Sequence, residues 1–201
     1  GYFSAALKPV VTIESGTRVT MSSVSGAPDV MPPAPFTIPP ALPAIHAANM
    51  GQHFLVHMCT GPVAVRGAKA GQVLQIDIEA IEPFCDWGYT LIRPLAGALP
   101  EDFPEYRLFH VAIDKTRMIG RMPWGQEIPL KPFYGAMAVA PPAAWGKIET
   151  PPPRRNGGNM DLKELVAGST LYLPVFTDGA LFSVGDGHGA QGDGEVCITA
   201  I

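Results

Sequence analysis

From Leu74 to Ile81 the sequence alternates: Leu74, Ile76, Ile78 and Ala80 fall on one side of a period of two, with Gln75, Asp77 and Glu79 on the other. Successive side chains of a strand point to opposite faces, so this segment predicts a strand with one buried face. Weaker patterns of the same kind predict strands at Val10–Ile13, Thr17–Ser22, Leu108–Ile113, Gly135–Ala140, Thr170–Phe176, Ala180–Val184 and Glu195–Ile201. A helical pattern is confined to one or two turns around Asp161 to Val166, opening at an Asp and closed by Gly168. This many short strands predict a sandwich or barrel.

Glycine and proline set the punctuation. Ser15-Gly16-Thr17, Ala70-Gly71-Gln72 and Ala167-Gly168-Ser169 each place Gly one or two residues before a strand, where a tight turn needs φ > 0. The recurrence is turn chemistry rather than an internal repeat. Proline clusters at Pro28 to Pro43, Pro141-Pro142 and Pro151-Pro152-Pro153 mark loops. The first is long and has neither period, the profile of a wrapping arm, an oligomer contact or a mobile linker. With 22 glycines and 22 prolines in 201 residues, against roughly 12% in an average chain, a helical bundle is disfavoured. Hydrophobic residues make up 47% and charged residues 16%, which is too apolar for disorder and enough for a sizeable core. The length suits one β-rich domain or two small ones with an undefined boundary.

Charge and cysteine narrow the partners. Fourteen Lys and Arg against eighteen Asp and Glu leave a net charge of -4 with no basic run, which argues against nucleic acid. Pro or a charge interrupts each apolar run well short of the roughly 18 residues of a membrane span. Cys59, Cys85 and Cys197 form no CxxC, so neither a disulfide framework nor a cysteine zinc site is indicated, and a reducing cytoplasm fits. The sequence opens at Gly1 without Met and stops inside the apolar run Val196 to Ile201, the ends expected of a fragment, with no signal-peptide pattern in what is given.

Candidate chemistry is densest from Val184 to Glu195, where Asp186, His188, Gln191, Asp193 and Glu195 stand among five glycines. Glycine lets backbone approach a ligand, and polar side chains on such a loop can converge on one point. A surface hairpin with solvated acids is the plainer alternative. Gly187 to Gly192 matches GxGxxG in form only, because a strand-like run follows rather than a helix. Neither calcium-loop spacing fits, and His with Asp and Glu suits zinc or another first-row divalent ion better. A second cluster is Asn156-Gly157-Gly158-Asn159-Met160-Asp161, where Asp161 also reads as an N-cap. A third holds His53 and His57, four apart and so on one face of a strand or helix. No GxSxG elbow or catalytic cysteine context is present, so water activated by a metal or between carboxylates is the more plausible nucleophile.

Four segments carry a resemblance: Gly157-Gly158-Asn159-Met160-Asp161, Gly168 to Val175, Gly179 to His188 and Gln191-Gly192-Asp193-Gly194-Glu195-Val196. Through them, and more weakly through Gly1 to Gly16, Thr60 to Val65, Asp86 to Tyr89 and Pro132 to Pro142, the chain resembles the acetamidase/formamidase family along nearly its whole length. The resemblance implies hydrolysis of a small primary amide to carboxylate and ammonia on a mainly β fold. It also implies a jelly-roll-like sandwich with a barrel-like part, and a further C-terminal segment. On this basis Asp161 and His188, with Asp186 or Glu195, are expected to hold a divalent ion, zinc first. Glu195 is the expected general base, and Asn159 and Gln191 the hydrogen-bond partners of the amide. A homo-oligomer is expected, since the apolar balance leaves surface to cover. The rival readings are a larger amide or other C–N bond on the same fold, and a non-catalytic β-rich binding or assembly protein.

Overall fold

The computed structural model describes residues 1–49 and 57–201. Among the described residues thirteen strands alternate with turns and loops: β1 Tyr2–Ser4, β2 Val11–Ile13, β3 Cys59–Val65, β4 Val73–Asp77, β5 Trp87–Ile92, β6 Arg107–Asp114, β7 Ile119–Arg121, β8 Glu127–Pro129, β9 Phe133–Ala138, β10 Lys147–Glu149, β11 Gly157–Asn159, β12 Thr170–Pro174 and β13 Phe182–His188. One α-helix, α1, spans Ala41–Asn49. The fold is mainly β, as expected, and among the described residues no sheet closes into a barrel. The chain divides into two compact units. The first comprises residues 1–25, 49–79 and 134–187, and the second residues 26–48, 80–133 and 188–201.

The first unit is built on a five-stranded sheet in the order β11-β9-β13-β3-β2, with β2 and β3 parallel. Its inner strand β9, between β11 and β13, is buried on both faces: along it and just past its end, Ala136, Met137, Ala138, Val139 and Ala140 are at most 3% exposed. Small side chains are what such a position admits, since neighbours press from both sides. The pair β4 and β12 shows the alternation read from sequence: Leu74 faces Leu173 and Ile76 faces Leu171, while Val73 and Tyr172 point to solvent. Of the four facing one another only Leu173 is fully buried, which contributes about 1.5–3 kcal/mol; the half-buried Leu74, Ile76 and Leu171 contribute less. The two-stranded pair β1 and β10 completes the unit's sheets.

The second unit contains the antiparallel meander β5-β6-β7-β8. The Pro-rich segment is an arm laid on this unit. Val30 is buried and its carbonyl accepts from His110 Nε2 at 2.9 Å, and Thr37 O accepts from Trp87 Nε1 at 3.0 Å. The covering role is thus the one observed, and the mobile-linker reading is set aside. The arm runs into α1, which the sequence pattern did not predict. Pro43 lies in its first turn, where no intrahelical donor is needed, and Leu42 and His46 share its buried face.

Three local predictions are corrected. Glu195–Ile201 is not a strand: Glu195 and Ile198 have φ of 38° and 61°, and Ile198 N–H turns back onto Glu195 O at 2.8 Å. Its Thr199 hydroxyl instead accepts from Leu91 N–H and donates to Leu91 O, each at 3.0 Å, closing the free edge of β5. Thr17–Ser22 forms no strand and has no ladder partner among the described residues. Asp161–Val166 is not a helix, because Asp161 is left-handed at φ 46° and only a single turn, Leu165 N to Leu162 O, follows.

Candidate active site

The five-stranded sheet brings three ligand-type side chains together. Asp186 and His188 alternate along β13, and Asp161 stands two residues beyond β11. One oxygen of each carboxylate and one ring nitrogen of His188 all lie within 4.8 Å of one another. Glu195 and Asp193 are outside this group of three, so of the two expected third ligands it is Asp186 that the fold places there.

The approach depends on Gly135, in β9, the strand between β11 and β13. A β-carbon there would stand 2.5 Å from Asp161 Oδ1 and 2.6 Å from Asp186 Oδ2, inside van der Waals contact with both. The same residue's carbonyl accepts from the N–H groups of Met160 and Asp161, at 2.9 and 3.2 Å, which pins the Asp161 turn against β9. Asp161 and Asp186 both have left-handed backbone, at φ 46° and 55°. Such strain at non-glycine residues collects where side chains must be aimed at a functional point. Two carboxylates this close repel unless a cation or a shared proton lies between them.

Surrounding groups orient the three. His188 is buried, stands edge-on to Phe133 with ring centroids 5.0 Å apart, and has Nδ1 2.9 Å from Gln191 Oε1. A carboxamide oxygen only accepts, so Nδ1 carries the hydrogen and Nε2 is the nitrogen with the lone pair, the form a metal binds. Asn159 Nδ2 donates to Asp161 Oδ2. Asn159 and Gln191, expected to contact an amide, are thus found hydrogen-bonded to Asp161 and His188. Asp161 is no N-cap, since no helix follows it.

Sequence reasoning passed over two contributors, Gly135 and Thr150, and gave His57 only as one of a histidine pair. Gly135 carries no functional group, so only its position reveals it. Thr150, fully buried, has Oγ1 3.0 Å from His57 Nδ1, and His57 Nε2 lies 3.8 Å from Asp186 Oδ2. These pairings join residues 93 and 129 positions apart, which no local pattern encodes. His53 lies outside the described residues. Cys59 is beside this region, and burial pushes its thiol up to about 11, so at neutral pH it is protonated and a poor nucleophile.

Two carboxylates that Gly135 leaves room for, with an oriented imidazole beside them, are a group of side chains that could hold a divalent ion. The chain belongs to the acetamidase/formamidase family: the model of that family matches residues 48–147 and 143–201. The "Acetamidase" of Mycolicibacterium smegmatis is 30% identical, the match covering 70% of this chain and 49% of the relative. The "Formamidase" of Methylophilus methylotrophus is also 30% identical, over 70% of this chain and 47% of the relative. The chain therefore spans about half the length of the curated relatives it matches. The crystal structure of an acetamidase from Bacillus halodurans superposes with a TM-score of 0.75 at 27% identity, covering 100% of this chain and 63% of that one.

Proposed function

We propose that the protein hydrolyses a short-chain primary amide, formamide or acetamide, to the carboxylate and ammonia. The observation that carries this reading is the convergence of Asp161, Asp186 and His188 in the space that Gly135 leaves open. Family membership supplies the reaction class, and the relatives' names supply the substrate class.

The three residues fit a divalent ion, zinc first: two anionic oxygens offset its charge, and the imidazole presents the nitrogen that Gln191 leaves unprotonated. When bound, such an ion supplies Lewis acidity toward an amide carbonyl and makes a neighbouring water more acidic. Glu195 takes one proton of the attacking water and returns it to the departing nitrogen, so that one water gives one ammonia and one carboxylic acid, whose proton then ionises away to leave the carboxylate. Asn159 and Gln191 hydrogen-bond the oxygen and NH₂ of the substrate amide in addition to steadying the ligands. A homo-oligomer in a reducing compartment belongs to the same reading, in keeping with three unpaired cysteines.

Ammonia release from formamide and acetamide by the full-length protein, with elemental analysis of the same sample, tests this. Activity should fall on chelation and return with zinc, and Glu195→Gln should abolish turnover while metal content stays unchanged. Turnover that persists in Glu195→Gln removes Glu195 as base. Turnover indifferent to chelation removes the ion, and silence with both amides favours a larger amide or a binding protein.

A further inference from the structure

We propose that Thr150 is the shared positioning residue beneath both carboxylates. The inference rests on reading Asp161 and Asp186 as working residues of the site. Thr150 follows β10 directly, outside any strand, and is 0% exposed. A hydroxyl so deeply buried is kept only where it has a partner, and its partner is His57 Nδ1 at 3.0 Å. His57 in turn presents Nε2 to Asp186 Oδ2 at 3.8 Å, with only 13% and 14% of the two side chains exposed. The backbone carbonyl of Thr150 runs the other arm: it accepts from Asn159 N–H at 3.3 Å, and the Asn159 carboxamide donates to Asp161. One buried residue therefore reaches Asp186 through an imidazole and Asp161 through a carboxamide.

The side-chain arm has a defined polarity. An imidazole beside a carboxylate is best placed with its N–H toward that charge. The hydrogen of His57 therefore sits on Nε2, Nδ1 is an acceptor, and the Thr150 O–H is the donor. At 3.8 Å the Nε2 contact exceeds hydrogen-bond length, so its effect on Asp186 is orientation and field rather than a bond. Valine has the shape of threonine without the hydroxyl, whereas serine keeps the hydroxyl and loses a methyl.

The test uses the full-length protein, with zinc as probe, and compares wild type, Thr150→Val and Thr150→Ser. Long-range ¹H–¹⁵N correlation should show the Nε2–H form of His57 in the wild type. Thr150→Val should disturb that pattern and weaken zinc binding, measured against a chromophoric chelator, by about 10-fold, the effect typical of residues that orient metal ligands. Thr150→Ser should restore both. A wild-type His57 with hydrogen on Nδ1 overturns the proposal without any variant. So does a Thr150→Val protein that keeps the wild-type ring pattern and zinc affinity. Failure of the amide-hydrolysis reading is separate: it would appear as zinc binding and the His57 pattern intact with no ammonia released.

Discussion

In the meander, β5 and β6 pair residue for residue from Trp87 opposite Ala112 to Ile92 opposite Arg107, and β7 and β8 continue with no break in register. In the five-stranded sheet the register between β13 and β3 shifts between Phe182 and Val184, Gly157 and Gly158 have positive φ inside β11, and two aspartates leave the right-handed region. Both regions satisfy their backbones, but only the second gives up regularity, and it does so around the ligand-type side chains. A regular ladder fixes side chains at the spacing of the pleat. Turning two carboxylates toward one point requires leaving that spacing.

Adding one methyl group to each sheet breaks the comparison most sharply. Gly135→Ala drives a β-carbon into two carboxylate oxygens that cannot both retreat, and should abolish zinc binding and cost on the order of 100-fold or more in turnover. Gly88→Ala in the meander meets the Ile201 Cγ2 and Ile113 Cδ1 methyls at 3.0 and 3.4 Å, with the Ile201 backbone carbon at an ordinary 3.7 Å. It should act on stability alone, by about 1–3 kcal/mol, with zinc affinity untouched. Parallel zinc titrations and urea unfolding of the two variants check the contrast.

Thr199→Val is the next step down. It deletes both hydrogen bonds that the hydroxyl makes to Leu91 at the edge of β5. A loss of about 1 kcal/mol is expected from the urea midpoint, with the slope unchanged. Glu127→Gln should have the smallest effect. Hydrogen bonds from Arg121 and Arg117 hold the Glu127 carboxyl below its ordinary 4.5. A depressed folded-state value contributes stability above the unfolded value and loses it as the pH falls through the folded one. The small melting-temperature gap between wild type and variant should therefore be full at neutral pH and close as the pH drops below 4.5, and salt should shrink it throughout because these side chains are exposed.

The sequence was most legible where burial is one-sided. β4 and β12 show their period of two because one face meets solvent, and β6 was placed to within a residue at each end. β3, whose Cys59-Thr60-Gly61-Pro62 start has no alternation, and the three-residue strands β7, β8, β10 and β11 are too short or irregular to announce themselves. Glu195–Ile201 misled in the opposite sense, since its apolar residues suggested a strand while two left-handed residues bend it into a strap. At the site, Asp161, Asp186 and His188 were readable because chemistry shows in residue type. Gly135 acts through an absent atom and Thr150 through distant neighbours, so neither signal exists along the chain, while His57 showed only as a histidine four residues after His53.

The left-handed backbone at Asp161 and Asp186 sets stability and activity against each other. Glycine would adopt those angles without steric cost, relieving strain of about 1–3 kcal/mol at each position. Relief at either site removes a carboxylate that the rest of the sheet is shaped to present. Selection for heat resistance alone would therefore erode these two positions early, and a thermally improved variant recovered that way would be a sturdier protein with its active site dismantled.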